Sequence, residues 1–479
     1  MVIISSTKNI SFFTALFPLV VLIFLLAINV SIYGDNSLSG PNQLALLLSA
    51  AVATIISVYY GTKWTDIISN ISTSISSTSS AIIILLIIGA LSGTWLISGI
   101  VPAMIYYGLK ILNPEIFLLA SCIICAIVSI ASGSSWSTIA TIGIALLGIG
   151  KSMGFSEGII AGSIISGAYF GDKMSPLSDT TNLAAAVAET ELFTHIKYMM
   201  YTTIPSFIIT LIIFLFIGLN ISVESSENIN ALLSTIENTF NINIYLFIVP
   251  IIVIVLIIKK TPAIPALLAG TLLALVCAFI FQPQIILEVS KMNDLSFKSY
   301  YLAAINSMGS DINISSNNML INDLLSTSGM KGMMNTIWLV VCAMSFGGAM
   351  EAGGLLNRIS SPIIKYANST GSLIATTSST CIFFNLTTSD QYLSIVVPGR
   401  MFTESFKEKG LASENLSRTI EDSGTVTSVL IPWNTCGAAQ SAVLGVATIA
   451  YLPFCFFNLI SPLMTIMYGY LNLKIKKTN

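Results

Sequence analysis

One polar segment, residues 171–182 (GDKMSPLSDTTN), lies between two stretches of small apolar residues and carries two carboxylates, Asp172 and Asp179. Pro176 lacks a backbone amide and interrupts a helical hydrogen-bond ladder, which frees carbonyl oxygens near it. Irregular backbone at membrane depth is tolerated only where it lines a cavity or is buried in protein. Carbonyl, hydroxyl and carboxylate oxygens together are hard ligands that suit a hard cation such as Na+. The segment therefore predicts a cation site at a helix break, and an ordinary surface loop with an Asx turn is the alternative.

A second polar segment, Ser132–Thr138 (SGSSWST), interrupts another apolar region. The apolar run before it ends near Ile130, and the run after it, Ile139–Ile149, is too short to cross a bilayer alone. These flanks are typical of a re-entrant hairpin with the polar residues at its tip, although a Ser/Thr-rich turn at the membrane surface fits them equally well. In the second half of the chain, the segments of the same character are Asn385–Gln391, Asp422–Thr425 and Pro432–Thr435.

The elements that must position these residues are membrane-spanning helices. Of the 479 residues, 54% are hydrophobic and only 9% are charged, with a mean hydropathy of +0.87, whereas a soluble globular chain carries about a quarter charged residues. Apolar runs that reach or approach the roughly 18–20 residues needed to cross hydrocarbon recur along the chain. They are Ser11–Ser31, Gln43–Tyr60, Ala81–Gly108, Ile116–Ile130, Ile196–Leu219, Ile242–Ile258, Ala263–Phe281, Ile337–Gly354 and Gly445–Leu471. We therefore predict an all-α polytopic protein of the cytoplasmic membrane, whose first run is a retained helix and not a cleaved secretory signal.

Charge in the short loops predicts the orientation. Residues 221–241 are acidic and contain no Lys or Arg, so this loop is expected outside the cell. The loop with Lys259 and Lys260, and the lysines of residues 474–477, are expected inside. No basic stripe with interleaved aromatic residues indicates nucleic-acid binding. The one histidine, His195, stands at the start of an apolar run and is expected at the membrane interface instead of in a metal site.

Three polar interruptions recur in the same order in both halves. They match residues 90–94 to 343–348, 132–136 to 387–391, and 172–182 to 422–434, at offsets of about 250–255 residues. The recurrence indicates an internal duplication, and paired interrupted segments mark the binding site of a transporter. We expect four regions: N-terminal transmembrane helices in residues 1–80, a first repeat in 81–220, linking helices and a polar loop in 221–332, and a second repeat in 333–479.

Residues 171–182, together with Ser132–Trp136, resemble the signature of NhaC-type Na+/H+ antiporters. The second-half residues Asp390–Tyr392 and Pro398–Arg400 fit the same family, and the similarity extends from about residue 10 to residue 470. That family belongs to the ion-transporter superfamily, whose fold has two inverted repeats, each with a re-entrant hairpin and a broken helix. The resemblance implies hairpin tips at Ser132–Trp136 and Thr387–Gln391, and unwound helices at 172–182 and 422–435. The polar segment 287–331 matches nothing in this resemblance.

The resemblance implies a secondary active transporter that exchanges Na+ for H+ at shared carboxylates, and not an enzyme. Burial disfavours the ionised form of a carboxyl group, whereas Na+ binding needs that form, so the proton and the cation compete. The expected coupling carboxylates are Asp172 and Asp179, with Asp390 and Asp422 as second-half counterparts. The other expected ligands are Ser134, Ser135, Thr180, Thr181, Asn182, Thr387, Asn434 and Thr435. The expected partners are Na+, protons and the lipid bilayer, with no cofactor, and a homodimer is left open.

Two alternatives have to be separated from this reading. A member of the same family that couples Na+ and H+ to organic acids, as in malate–lactate exchange, would share the motif. An anionic cargo would need basic residues in the core, but Lys173 is expected to pair with Asp172, and Arg358, Lys365 and Arg400 stand near the ends of spans. A bare cation is therefore the better-fitting cargo.

The other alternative is an intramembrane protease. Ser132 and Ser134 superficially resemble a serine nucleophile, but His195 is the only histidine and lies far away in sequence. An aspartyl protease of this kind needs a G-x-G-D element, and Tyr169 stands where its first glycine would be. Proteolysis is therefore disfavoured.

Overall fold

A computed structural model gives the fold and describes residues 10–33, 37, 39–220, 226–259, 261–314, 325–356, 358–359 and 369–478. The helices of the first half are α1 (Phe12–Tyr33), α2 (Pro41–Tyr59), α3 (Trp64–Ser77), α4 (Ser79–Ile97), α5 (Ile100–Ile111), α6 (Phe117–Ser132), α7 (Ser135–Thr138), α8 (Ile144–Ser152), α9 (Glu157–Met174), α10 (Asp179–Val187) and α11 (Leu192–Asn220). A π-helical turn, Ile139–Gly143, joins α7 to α8.

The central region contains α12 (Ser226–Thr239), α13 (Ile248–Ile258), α14 (Ala263–Phe281), α15 (Pro283–Ser290), α16 (Phe297–Gly309) and a short antiparallel hairpin of β1 (Ile312–Asn313) and β2 (Ser326–Thr327). The second half contains α17 (Gly329–Ala352), α18 (Thr370–Thr388), α19 (Gln391–Glu408), α20 (Ser413–Ile420), α21 (Thr435–Leu444), α22 (Thr448–Tyr451) and α23 (Phe456–Tyr470). A second π-helical turn, Glu421–Thr425, continues α20.

Among the described residues, seven helices are long and apolar enough to cross a membrane. Two bent helix pairs also pass this test, which brings the total to nine. In one pair, α21 turns by 90° into the helical segment that begins at Thr448. The prediction of an all-α polytopic membrane protein is confirmed.

Helices α6 and α9 pack backbone against backbone. A Cβ atom on Gly167 would lie 2.1 Å from the carbonyl oxygen of Cys122, and one on Gly171 would lie 2.3 Å from that of Ala126. Small residues permit this approach, which is a common way for membrane helices to associate. The Ser129 hydroxyl donates a 2.6 Å hydrogen bond to a carbonyl of α9 and adds a polar tie. This contact holds the end of α9 beside the end of α6.

Both ends are helix breaks of defined geometry. Helix α6 ends in Gly133, which has a left-handed φ of 70°, and Ser134 then caps α7 by accepting a hydrogen bond from the Ser137 amide at 3.2 Å. Helix α9 ends at Met174, and α10 begins at Asp179 after four intervening residues, the last of which, Ser178, is its N-cap. The predicted break at residues 175–178 is present.

The second half repeats these local features. Helix α18 ends in Ser389, with a left-handed φ of 60°, and Asp390 caps α19. The break before α21 ends in the N-cap Asn434. Residues 133 and 389, 134 and 390, and 178 and 434 correspond, each pair 256 residues apart. The predicted match of Asp172 to Asp422 is wrong in register, because Asp422 lies in the π-helical turn before the second break. An inverted relation of the repeats stays a prediction.

The polar segment after Gln282 is part of the folded body. Helix α16 lies against α4 so closely that a Cβ on Gly93 would be 1.7 Å from the carbonyl oxygen of Ser307. The hydroxyls of Ser92 and Thr327 are 3.0 Å apart, which ties α4 to the hairpin. Of the residues used in the predictions above, Lys260, Lys365, residues 221–225 and residues 315–324 lie outside the described residues.

The tail after α23 lies against α20. Leu411, just before α20, pairs with Lys477 in an antiparallel bridge, and the Asn415 amide donates to the Lys476 carbonyl at 2.7 Å. The buried guanidinium of Arg418 donates to the Lys474 carbonyl at 3.3 Å. The tail is therefore bound to the helix that leads into the second π-helical turn.

Candidate cation site

Asp172 lies in the last turn of α9 and is only 5% exposed. Its Oδ2 accepts two hydrogen bonds from Ser135, one from the amide at 3.0 Å and one from the hydroxyl at 2.6 Å. Its Oδ1 is buried without a hydrogen-bond partner among the described residues. A buried carboxylate oxygen without a partner is costly, so it marks a place where a proton, a water molecule or a cation would bind.

Asp179 begins α10 and, unlike Asp172, is exposed. Its Oδ1 accepts from the Thr180 amide at 2.9 Å, and its Oδ2 accepts from the Tyr392 hydroxyl at 2.5 Å. Because Tyr392 lies in the first turn of α19, this bond joins the first break to the hairpin turn of the second half.

Asp390 is the N-cap of α19 and is 4% exposed. Its Oδ1 accepts from the Leu393 amide at 2.8 Å. It fills the capping position that Ser134 fills in the first half, so the second half carries a carboxylate where the first carries a hydroxyl.

These three aspartates line one cavity of about 670 Å³, which we call the carboxylate cavity. Its other lining groups include Ser134, Thr435 and the aromatic side chains of Trp136 and Tyr392. The remaining wall comes from residues 77–84 at the start of α4 and from the α13–α14 connection at Ile257 and Thr261–Ala263. Among the described residues that line the cavity, none is Lys or Arg. Three acidic groups without a basic one produce a negative potential that attracts cations.

Several expected ligands do not line this cavity. The Thr181 hydroxyl donates to the Lys173 carbonyl at 3.0 Å, and the exposed Asn182 donates to the Pro176 and Ser178 carbonyls at 3.0 and 2.6 Å. These side chains satisfy the carbonyl groups that the first break frees. Their geometry supports a role in holding the backbone and gives no support to cation binding.

The same holds in the second half. The Thr387 hydroxyl donates to the Phe383 carbonyl at 2.8 Å within α18. The Asn434 amide donates to the backbone and side-chain oxygens of Asn385, both at 3.1 Å. Asn434 therefore ties the second break to α18 and lies outside the lining of the carboxylate cavity.

Asp422 belongs to a separate buried cluster. It forms an ion pair with Lys173, and both side chains are fully buried. Its Oδ2 accepts from the Thr202 hydroxyl at 2.8 Å, and the Lys173 ammonium also donates to the Ser461 hydroxyl at 3.1 Å. The predicted pair between Lys173 and Asp172 is wrong, because Lys173 points away from the cavity to a partner in the other half.

His195 lies near the start of α11 and is fully buried in the protein, and its predicted place at the membrane interface stays a prediction. Its Nδ1 lies 2.8 Å from the Ser417 hydroxyl. Ser132 instead contacts Thr138, with the two hydroxyls 3.3 Å apart. His195 thus contacts Ser417 of α20 and does not form a nucleophile–base pair with the hairpin serines.

Sequence reasoning did not single out Tyr392, Trp136 or Glu421 as site residues. Tyr392 stands two residues after the helix-capping Asp390, which is a local signal for a position near the site. Glu421 stands beside Asp422, and an ionisable residue within a membrane segment is by itself a signal of function.

Beyond the carboxylate cavity lies an apolar cluster, Leu85, Met333 and Ala439, which we call the apolar plug. Trp136, which lines the cavity, packs against it. On the far side of the plug is a second cavity of about 640 Å³, lined by Ser92, Asn313 and Gly445 among others. Along α4, residues 81 and 84 face the carboxylate cavity, and residues 88 and 92 face the second one. The plug therefore separates two cavities at opposite ends of the same helix.

The chain is similar to known membrane antiporters. Residues 167–473 match the profile of the Na+/H+ antiporter family. The chain is 35% identical to the Na(+)/H(+) antiporter NhaC of Alkalihalophilus pseudofirmus, over 91% of each chain. It is 35% identical to the malate-2H(+)/Na(+)-lactate antiporter of Bacillus subtilis, over 90% of this chain and 89% of that protein. It is also 34% identical to the arginine/ornithine antiporter ArcD of Halobacterium salinarum, over 98% of this chain and 93% of that protein.

Proposed function

The chain belongs to the Na+/H+ antiporter family, and from that membership we propose that it exchanges Na+ for H+ across the cytoplasmic membrane through carboxylates at its first helix break and at the hairpin turn of its second half. The observation that carries the proposal is the carboxylate cavity, which Asp172, Asp179 and Asp390 line without any Lys or Arg among its described lining residues.

The exchange follows from competition at Asp172. Its unpartnered Oδ1 accepts either a proton or a cation, and Na+ is bound best by the ionised carboxylate together with neutral oxygens. Ser134 and Thr435 supply such oxygens in the same cavity. Binding of Na+ therefore displaces the proton, and protonation displaces Na+.

Transport requires that the loaded cavity change the side to which it opens. The apolar plug closes the path from the carboxylate cavity to the second cavity, and Trp136 belongs to both the cavity wall and the plug. A repacking of Trp136 against Leu85 and Met333 would open that path. No nucleotide enters this cycle, since the sequence has no Walker-type motif and the ion gradients supply the driving force.

The names of two relatives indicate organic cargoes: malate and lactate, which are anions, in one, and the basic amino acids arginine and ornithine in the other. The cargo of this chain therefore has to be tested. A dicarboxylate needs compensating positive charge, which the described lining of the carboxylate cavity lacks. A cationic amino acid would meet the right charge, and a cavity of about 670 Å³ has room for more than a bare ion. We favour Na+ because Asp172 offers one unpartnered carboxylate oxygen and is buried, and one such oxygen suits a small cation better than it suits a large organic cation.

The test is ion exchange in proteoliposomes that contain a pH-sensitive dye. A pulse of Na+ with no organic solute on either side is expected to move protons against the Na+ flux. The control is a pulse of choline, which changes the ionic strength without offering a small cation. Proton movement that appears only when malate, lactate, arginine or ornithine is supplied would overturn the assignment of Na+/H+ exchange.

A further inference from the structure

A fourth carboxyl group, Glu421, lies outside the lining of the carboxylate cavity and is fully buried in the second π-helical turn. Its Oε1 accepts a 3.3 Å hydrogen bond from the Thr180 hydroxyl. Its Oε2 has no hydrogen-bond partner among the described residues. The Thr425 hydroxyl, one turn further on, is also buried and unpartnered, so a small rotation would join the two groups. π-Helical turns of this kind are frequent at functional sites.

The charges around Glu421 do not balance if it is ionised. Lys173 is the cation that acts on it, but the ammonium group of Lys173 already binds Asp422 and Ser461. The like charges of Asp422 and Asp172 act on Glu421 from its own turn and from α9.

Among the described residues, no second cation pairs with Glu421. Arg418, the buried cation on α20, donates instead to the Lys474 carbonyl at 3.3 Å and lies over the ring of Tyr198. From α10 the hydroxyl of Thr180 faces Glu421, and from α18 the thiol of Cys381 interacts with it. On α11, Thr202 binds Asp422, and His195 interacts with Lys173 as a like charge when it is protonated. One lysine cannot compensate two buried carboxylates, and Asp422 holds that lysine. In this state Glu421 therefore carries a proton.

Thr180 connects Glu421 to the carboxylate cavity. Its amide donates to Asp179 and its hydroxyl donates to Glu421, so one residue contacts a cavity carboxylate and the buried one. On the α9 side of the break, Asp172 lines the cavity, and its neighbour Lys173 contacts Asp422 in the second π-helical turn. A cation in the cavity neutralises the negative charge that favours the proton on Glu421. Binding at one site and proton release at the other are thus coupled and reciprocal.

We propose that Glu421 is a proton-carrying site of the exchange, distinct from the Na+ cavity, and that it releases its proton when Na+ binds beside Asp172 and Asp179. In the release step the O–H bond at Oε2 breaks, the electron pair stays on the carboxylate, and the proton passes to water. The proposal rests on the proposed Na+/H+ exchange and adds a second site to it.

The variant Glu421→Gln keeps the shape of the protonated side chain but cannot release a proton. The matched control is Glu404→Gln, which removes the charge of an exposed glutamate on α19. Two assays in proteoliposomes separate the steps: Na+-driven proton movement, and exchange of radioactive Na+ for unlabelled Na+. We expect Glu421→Gln to lower proton movement by roughly tenfold or more while Na+/Na+ exchange stays within about twofold of wild type.

Each other outcome has a defined meaning. Wild-type proton movement in Glu421→Gln overturns the proposal, and so does an equal loss of both activities in a variant that elutes as wild type does. Absence of both activities in the wild-type protein refutes the proposed function itself and not this inference alone.

A second measurement follows the carboxyl proton directly. Infrared difference spectra of the wild-type protein on addition of Na+ are expected to show loss of a protonated-carboxyl band, and part of that loss is expected to be absent from Glu421→Gln and present in Glu404→Gln. A wild-type spectrum without that loss overturns the proposal.

Discussion

At the scale of single residues, Asp172 combines two conditions that a coupling carboxylate needs. It is buried, and the N-terminus of α7 holds one of its oxygens through two bonds from Ser135, so its position is fixed. Its other oxygen has no partner among the described residues. The fixed oxygen orients the group, and the free oxygen is left for the exchanged ions.

Replacement of Asp172 by Asn is therefore expected to abolish Na+-driven proton movement, because the amide keeps the shape but cannot titrate or bind Na+ by charge. Na+/Na+ exchange should fall as well, which distinguishes this variant from Glu421→Gln. Asp66→Asn, at an exposed position of α3, is the matched control. Transport by Asp172→Asn at the wild-type rate, with unchanged apparent Na+ affinity, would show that the carboxylate lies off the transport path.

Asp179 is exposed, and one of its two hydrogen bonds comes from Tyr392 in the other half of the chain, so its position depends on how the two halves pack. We expect Tyr392→Phe to weaken the apparent affinity for Na+ and to leave the amount of inserted protein unchanged. The dye assay across a series of Na+ concentrations measures this. An unchanged affinity in Tyr392→Phe would mean that the bond does not position Asp179 for Na+.

The Lys173–Asp422 pair predicts an effect on stability. Removal of one partner of a buried ion pair leaves an uncompensated charge and typically costs about 3–5 kcal/mol. Lys173→Met should therefore lower the melting temperature of the detergent-solubilised protein strongly, and the double variant Lys173→Met/Asp422→Leu should recover most of the loss. A double variant no more stable than Lys173→Met would contradict the pairing.

The sequence allowed the prediction of the cavity carboxylates but not of this pair. Asp172, Asp179 and Asp390 each stand at a capping or break position that Ser, Pro and Gly residues mark locally. Lys173 and Asp422 are 249 residues apart, and their contact depends on how the two halves pack. Because Asp172 is the neighbour of Lys173 in sequence, local reasoning favours a pair between these two residues, and only the three-dimensional structure shows that Asp422 is the partner.

At the scale of elements, the two hairpin turns have the same shape and different residues. Gly133 and Ser389 both adopt a left-handed φ, of 70° and 60°. For a residue with a Cβ this conformation costs roughly 1–2 kcal/mol. The Ser389 hydroxyl is also buried without a partner among the described residues. The second-half turn is thus less well matched to its residue than the first.

Ser389→Gly is expected to raise the melting temperature or leave it unchanged, since it relieves the left-handed strain and removes an unpaired hydroxyl. Gly133→Ala, the reciprocal variant, is expected to lower it. In addition to the strain, its Cβ would lie 2.5 Å from Leu177 in the first break. Thermal unfolding of the two purified variants, followed side by side, checks this. A Gly133→Ala protein as stable as the wild type would contradict the close contact between Gly133 and Leu177.

The positions of the breaks were predictable because their signals are local. Pro176 and Pro432 interrupt helices, and Ser178 and Asn434 are good N-caps. The register between the halves was not, since Asp422 lies in the π-helical turn, several residues before the position that corresponds to Asp172, and no local signal in the sequence marks this difference. Which of the polar side chains face the cavity and which bond the backbone also depends on rotations that sequence patterns do not give.

At the scale of the whole molecule, the two cavities lie toward opposite ends of α4, and the loop charges predict which side of the membrane each one faces. The carboxylate cavity is lined by residues that follow Lys259, in the loop predicted inside. The second cavity is lined by Val101 and Ile105 of α5. The Tyr106 hydroxyl of the same helix accepts from Lys110 and donates at 2.9 Å to Glu237, which lies in the acidic loop predicted outside. The loop charges thus predict that the carboxylate cavity faces the inside and the second cavity faces the outside.

Cysteine labelling tests this orientation in a background whose seven native cysteines are replaced by alanine. Ser80→Cys, in the carboxylate cavity, should react with a membrane-impermeant maleimide mainly in inside-out vesicles. Asn313→Cys, in the second cavity, should react mainly in right-side-out vesicles, and each variant serves as the control of the other. Equal labelling of Ser80→Cys from both sides would mean that the apolar plug does not close the path.

The bound tail has a practical consequence for anyone who purifies the protein. Residues 474–477 are fastened to α20, whose continuation carries Glu421 and Asp422. An affinity tag or fluorescent protein fused directly after these residues would be expected to disturb the contacts of residues 474–477 with Leu411, Asn415 and the buried Arg418. A flexible spacer before the tag avoids this disturbance. A preparation with a spaced tag should therefore be more active than one with an unspaced tag on the same chain.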